Sequence, residues 1–351
     1  MRHMTFGRTT GLRVSELALG TGMFGTRWGT GSDLAGSRKV FDRFAEAGGT
    51  FIDTAESYQF GQSEEILGQL LTGARSQFTV ATKFTQGPSA HPDVMHTGNS
   101  RKNMTRAVED SLRRLQTDYI DLLWVHFPDT VTPTEEIVRG LDDLTRQGKI
   151  GYAGLSNFPA WRTARAVTLA ETGDRSPIIG VQFEYSLAER TADREILPMA
   201  EALGLGGALW SPLAGGLLTG KYRTSDAGRL TELKRLVHTE DDDRKTATVD
   251  TVLAVAGELG VPAGQVAMAW LLERNQRSAT ALVPVIGPRN LAQLEDYLAA
   301  LDVHLDDDQY RRLDEASRIP LGQPHDLVNS RRGPLLGGDA GAFQSPVVPV
   351  A

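Results

Sequence analysis

Eight short apolar runs recur along the chain, separated by longer stretches of amphipathic or polar character. They are LALG (17–20), TFID (50–53), FTVATK (78–83), YIDLLWVH (119–126), IGYAGLS (150–156), IIGVQ (178–182), GGALW (206–210) and LVPVIG (282–287). Short buried runs alternating with helical segments are the pattern of βαβ units and a parallel sheet. Eight of them favour an α/β fold closed as a (β/α)8 TIM barrel, because an open doubly wound sheet normally has fewer strands and a crevice where their order reverses. The chain has 351 residues, and α/β barrels of more than about 200 residues commonly form one unit. The expectation is therefore one barrel domain over 1–351. The opening segment TFGRTTGLRVSEL, with short extended pieces on either side of Thr10 and Gly11, reads as a β-hairpin capping the barrel floor. Two segments fall outside the repeat: a charged insertion at 222–246 after the seventh run, and a Gly- and Pro-rich segment at 320–351, expected as loop with a mobile terminus.

Helical faces lie between the runs. Val40, Phe41, Phe44 and Ala45 share one side of a turn pattern that Gly48 and Gly49 can stop, and Ile66, Leu67, Leu70 and Leu71 form a similar face. Thr132, Pro133, Thr134 and Glu135 have the spacing of a capping box with proline at the first helical position, ahead of Ile137, Val138, Leu141 and Leu144.

A (β/α)8 barrel assembles its active site where strands end and βα loops begin. The second run ends in Asp53, with Tyr58 shortly after; the third ends in Lys83 and the fourth in His126. The fifth ends in Ser156 and Asn157, the sixth in Gln182, the seventh in Trp210, and the eighth leads to Arg289. Each residue alone has a plain structural reading: Asp as a helix cap, Lys as a solvated charge, His as a satisfied core residue. Jointly they converge on one rim. Lys83 closes a buried strand, where an unpaired ammonium is costly, so it needs a carboxylate. Asp53 on the neighbouring strand is the natural partner. A tyrosine ordinarily titrates near 10, and an adjacent ammonium lowers that value, so Tyr58 beside Lys83 suits general-acid work on a carbonyl oxygen. His126 can donate a second hydrogen bond to the same oxygen.

The motifs carrying these residues resemble those of the aldo-keto reductase superfamily, in its bacterial, channel β-subunit-like branch. They are FIDTAESY (51–58) with GQSEEILG (61–68), VATKF (80–84), DLLWVHFPD (121–129), GKIGYAGLSNF (148–158), WSPLAGGLLTGKY (210–222) and VPVIGPRNLAQLED (283–296), spread from about residue 4 to residue 318 in the family's order. The resemblance implies the barrel, NADPH/NADP+ as cofactor and a catalytic tetrad of Asp53, Tyr58, Lys83 and His126. It further implies that Gly20, Thr21 and Gly22 lie near the nicotinamide, that Ser156, Asn157 and Gln182 hold its carboxamide, and that Trp210 stacks on its ring. The loop from Ser211 through Pro212, Leu213, Gly215 and Leu217 to Lys221 would cover the pyrophosphate. Gly287 and Arg289 would meet the 2′-phosphate, for which a guanidinium is geometrically suited, and Gln293 would sit near the adenosine. Two positions depart from the family pattern: Gln59 stands where glycine is usual, and Tyr297 where asparagine is usual.

Two shorter motifs point elsewhere and fail on context. Gly20, Gly22 and Gly25 fit G-x-G-x-x-G, but the residues that follow read as loop, without the immediate helix of a dinucleotide-binding turn. Gly215 to Lys221 nearly matches a P-loop, but Tyr222 replaces the Ser or Thr that would meet magnesium. The formal charge of −7, without a long basic run, argues against nucleic acid as partner. The absence of cysteine excludes disulfides and thiolate zinc sites, and His91 and His96, either side of Pro92 and Met95, do not make a convincing metal pair. No apolar stretch of about 18 residues or signal-peptide pattern is present, so the expected location is the cytoplasm, with no membrane partner. A small-molecule carbonyl is the expected substrate, and oligomeric state stays open. Trp28, Phe60, Phe84, Phe127 and Trp161 either line its pocket or pack beneath loops. An NADPH-binding regulatory subunit with little turnover is the alternative function, opposed by the intact tetrad.

Overall fold

Strands form wherever the apolar runs were found, and the computed structural model describes residues 1–223, 238–344 and 346–348. The chain begins with an antiparallel pair, β1 (His3–Thr5) and β2 (Arg13–Ser15). Eight parallel strands follow: β3 (Ala18–Gly20), β4 (Phe51–Asp53), β5 (Thr79–Phe84), β6 (Ile120–Val125), β7 (Ile150–Ser156), β8 (Ile178–Glu184), β9 (Gly206–Trp210) and β10 (Leu282–Ile286). Each pairs with the next in sequence and β10 pairs with β3, closing a barrel. The expected (β/α)8 architecture with its N-terminal hairpin is the observed one.

The strands alternate between two cores, as a pleat with period two requires. Phe51, Ala81, Leu122, Trp124, Ile179, Ala208 and Val283 belong to the barrel interior, together with Phe6 and Val14 from the hairpin region. Ile52, Val80, Phe84, Leu123, Val125 and Leu209 pack outward against the helices. Three large rings fill the interior. Phe6 meets Phe51 and Trp124 edge-on at 5.6 and 6.1 Å between centroids. A Cβ at Gly180 or Gly206 would lie 2.5 or 2.8 Å from the Phe6 ring, and one at Gly154 would lie 2.3 Å from Trp124. Glycines in β8 and β9 thus make room for Phe6, and the one in β7 makes room for Trp124.

The helix Leu34–Glu46 starts at an Asp33 cap and buries Val40, Phe41 and Phe44, as its pattern indicated. The helix Thr134–Arg146 differs from expectation: Pro133 is its cap residue and no side chain caps it. The Thr132 hydroxyl instead donates to Asp129 at 2.6 Å, so the box geometry is lost to the preceding turn. Most of the 222–246 segment, 224–237, lies outside the described residues, but its far end already belongs to the helix Asp243–Leu259. Its flanks are tied together by Arg223 with Glu240 and Asp250. The segment after 320 is less irregular than expected: it holds the short helices His325–Ser330 and Arg332–Leu335, neither of which buries a side chain. Among the described residues no single helix is long and apolar enough to cross a membrane.

Candidate active site

The alternation that fills the barrel also builds its upper rim, since the next inward position after Phe51 is Asp53, after Ala81 is Lys83, and after Trp124 is His126. Asp53 and Lys83 are buried. Lys83 Nζ donates to Asp53 Oδ2 at 2.5 Å, to the Thr54 carbonyl at 2.7 Å and to the Tyr58 hydroxyl at 3.1 Å. All three ammonium donors are therefore placed, as a buried charge demands. The second Asp53 oxygen accepts from Gln182 Nε2 at 2.9 Å. Gln182, read from the sequence as a cofactor residue, thus also braces the carboxylate.

Tyr58 is half-buried at the start of a tight turn after β4, with the Lys83 ammonium 4.6 Å from its ring centroid. Burial raises the phenol above its ordinary value; the Lys83 charge opposes this, Asp53 reinforces it, and the net direction is upward. The lowering expected from Lys83 is corrected here, because burial of the phenol outweighs the ammonium and Asp53 adds to the upward push. Lys83 itself is penalised by burial, yet Asp53 and Tyr58 hold it above the ordinary lysine value. His126 is pushed well below the usual histidine value by burial and then by Lys83, so its imidazole is neutral. Its ring lies edge-on to Tyr58 at 6.2 Å and stacks on Phe127 at 4.4 Å, and its buried Nδ1 bonds to no described residue.

The remaining strand ends continue around the rim. Ser156 is level with Gln182 across β7 and β8, and Trp210 is level with Glu184 across β8 and β9. Asn157, in the left-handed region at φ 58°, donates to the His126 carbonyl and to Ser156 Oγ at 3.0 Å each, and accepts from Trp210 Nε1 at 3.2 Å. After β9, the turn Ala214–Thr219 runs through left-handed Gly215 and Gly216, and Tyr222 closes it by donating to the Gly215 carbonyl at 2.9 Å. That loop contains Ser211, Pro212, Leu213 and Leu217 and ends beside Lys221. After β10, Gly287 and Arg289 precede the helix Leu291–Ala299, whose Asn290 cap accepts the Gln293 amide; the Gln293 side chain in turn accepts the Arg289 amide at 2.8 Å. Tyr297 is partly buried against the main core. Gly20, Thr21 and Gly22 close the circle: the Thr21 amide bonds to the Asp53 carbonyl, and Gly22 lies against the Tyr58 ring.

Of the aromatic residues singled out, Trp28 meets Tyr58 and Phe60 edge-on at 6.0 and 6.4 Å, and Phe127 stacks on His126. Phe84 does not join them; it faces outward into the helix-packed core, on the opposite pleat from Lys83. Trp161 is 69% exposed at the start of the helix Ala160–Thr172. Sequence reasoning missed two residues of the site: the Thr54 carbonyl that holds Lys83, and Glu56, whose buried carboxylate accepts the Thr85 and Gly87 amides and is raised by that burial. Backbone acceptors leave no trace in residue identity. A cavity of about 750 Å³ lies elsewhere, between the floor hairpin and the end of the helix Ala263–Gln276, lined by Arg2, Glu16, Glu273 and His304 among others. It is remote from Tyr58. Among the described residues, no cluster of three His, Asp or Glu groups has the disposition of a metal site.

A closed parallel barrel whose C-terminal face holds a buried Lys–Asp pair bonded to a rim tyrosine, with a neutral histidine beside it, has the groups that proton transfer at that face requires. The family profile described as the aldo/keto reductase family matches residues 16–318, and the chain belongs to that family. It is similar to an uncharacterised oxidoreductase, YrpG, of Bacillus subtilis, at 36% identity over 92% of this chain and 98% of that one. It is 33% identical to norsolorinic acid reductase A of Aspergillus parasiticus, over 93% and 84% of the two chains. With the NADP(+) aryl-alcohol dehydrogenase of Phanerodontia chrysosporium the identity is 32%, over 92% and 88%. Family and relatives together make the chain an oxidoreductase of the carbonyl and alcohol class.

Proposed function

We propose that the chain reduces an aldehyde or ketone to the alcohol with NADPH, Tyr58 giving its proton to the carbonyl oxygen. One observation carries the reading: Lys83 bonds Asp53 and the Tyr58 hydroxyl at once in a buried setting. NADPH, when bound, supplies the hydride. The residues present fit that cofactor. The arc from Ser156 through Gln182 and Trp210 to the 211–221 loop offers polar groups, an aromatic face and a glycine-rich turn in adjacent positions, and Arg289 precedes a helix N-terminus suited to phosphate. Asn157 holds the Trp210 indole in place.

Tyr58 stays protonated at neutral pH, which is the state a proton donor needs. Lys83 stabilises the phenolate that forms on transfer, and Asp53, braced by Gln182, keeps Lys83 charged and oriented. Neutral His126 donates to the carbonyl oxygen and fixes its position. We favour an aryl carbonyl as substrate: Trp28 stands against Tyr58 and Phe60, Phe127 stacks on His126, and one of the relatives is named for an aryl alcohol. The placement in the bacterial, channel β-subunit-like branch rests on the motifs quoted above. We place the enzyme in the cytoplasm as a single barrel domain over 1–351, acting on a free small molecule and not on nucleic acid or membrane; the net charge of −7 and the lack of cysteine support this.

The test is NADPH consumption with product analysis across aryl aldehydes, planar aryl ketones, aliphatic aldehydes and aldoses. Turnover to the alcohol, fastest among aryl members, is expected. NADPH binding without conversion of any member would contradict the reading and favour a regulatory subunit.

A further inference from the structure

Gln59, the residue after the proton donor, is fully buried and sits at φ 51°, ψ 32°, a conformation that suits glycine. Its side chain is engaged entirely by the loop that follows β3. Nε2 donates to the Gly22 carbonyl at 3.1 Å and to the Thr30 carbonyl at 3.0 Å, and Oε1 accepts the Trp28 amide at 2.8 Å. An amide with two donors and one well-placed acceptor thus has its hydrogen bonds met by three backbone groups of one loop. The loop is shaped for this contact. A Cβ at Gly25 would lie 2.9 Å from Gln59 Cβ and Cγ, and one at Gly31 would lie 2.0 Å from the Gly25 carbonyl and 3.0 Å from Gln59 Nε2. Both glycines have positive φ, 120° and 138°.

The same turn grips the loop further out. Gln62 Oε1 accepts the Thr26 and Arg27 amides, while Arg27 pairs with Glu65 and donates to the Phe60 carbonyl. These outer contacts are exposed; the Gln59 bonds are the buried ones. Between them stands Trp28, its indole edge-on to both Tyr58 and Phe60. A strained backbone retained beside a reacting group, with its side chain wholly committed to a neighbouring loop, indicates a positioning role.

We propose that Gln59 is a positioning residue that clamps the 22–31 loop onto the Tyr58 turn, setting Trp28 as a rigid wall of the substrate pocket and giving the site its preference for flat aryl carbonyls. This rests on the reductase reading above for the substrate, but not for the clamp. Gln59 itself touches no reacting atom; it meets the cofactor arc only at the Gly22 carbonyl, and it acts on the substrate through Trp28. Losing the clamp leaves the outer part of the loop, around Trp28, tied to the Tyr58 turn by exposed hydrogen bonds alone, so a planar substrate loses its wall while proton transfer from Tyr58 persists.

Two readouts separate these points. Trypsin cleavage after Arg27 in the native full-length protein reports the clamp without any activity, and steady-state kinetics with a planar aryl ketone and a short aliphatic aldehyde report the wall. In Gln59→Gly and Gln59→Met, cleavage after Arg27 accelerates, KM for the aryl ketone rises about tenfold with a smaller change in kcat, and the aldehyde is affected less. Trp28→Ala gives a similar KM rise that does not add to that of Gln59→Met. Wild-type-like cleavage in both variants overturns the clamp, and so does an effect confined to Gln59→Gly, which would trace to backbone freedom. Equal losses for both carbonyls, or a loss in kcat alone, overturn the specificity role. If the wild type reduces no carbonyl, the reductase reading and the wall fail together, and the cleavage result still decides the clamp.

Discussion

At the scale of residues, the site is a buried charge pair with a tyrosine hydroxyl attached. Removing one member of such a pair leaves an uncompensated charge, which costs about 3–5 kcal/mol. Asp53→Leu should therefore lower the unfolding free energy by roughly that amount in urea, whereas the double change Asp53→Leu with Lys83→Met should recover part of it. His126 sets a pH dependence of stability. Its folded-state pKa is depressed, so its contribution is complete above the ordinary histidine value near 6.5 and drains away as pH falls below that value toward the folded one. The urea midpoint should drop between pH 7 and pH 5 by more in the wild type than in His126→Gln; equal drops would remove His126 as the cause. The positions of Asp53, Lys83 and His126 were legible in the sequence because an inward residue at a strand end is fixed by a two-residue period. The direction of the Tyr58 shift was not legible, since it depends on how deeply the folded rim buries the phenol beside the Lys83 charge, which no local spacing records. Gln59 was visible only as a departure from a family pattern, because its partners lie 29 to 37 residues back along the chain.

At the scale of elements, the barrel is closed below by the hairpin and by Phe6, whose ring occupies the space left by Gly180 and Gly206. Phe6→Ala should cost about 3–5 kcal/mol as a cavity that the surrounding strands cannot collapse to fill. Equilibrium denaturation checks this, and a loss below about 1 kcal/mol would mean that the floor repacks. All eight strands were evident from apolar runs, since a strand buried on both faces is the simplest pattern to read. The helix near Thr134 was placed correctly but its cap was not: Thr132 had a competing acceptor in Asp129, and a side chain choosing between a helix end and a turn is not decided by spacing alone.

At the scale of the whole molecule, one rim carries the proposed proton donor Tyr58 in the turn after β4 and its partner Lys83 on β5, while the polar arc proposed for the cofactor runs from β7 through β10 to β3. This division predicts separable defects. Arg289→Ala should weaken NADPH binding by about 10–100-fold, the worth of a charge-assisted hydrogen bond set, while NADH binding changes little. Fluorescence titration of both nucleotides checks it, and equal weakening would remove Arg289 from the 2′-phosphate. The central claim is tested most directly by Tyr58→Phe, which keeps the ring and removes the proton. The variant should bind NADPH as the wild type does and lose about 10²–10⁴ in kcat for the best aryl carbonyl. A variant that reduces that carbonyl at the wild-type rate would contradict the account.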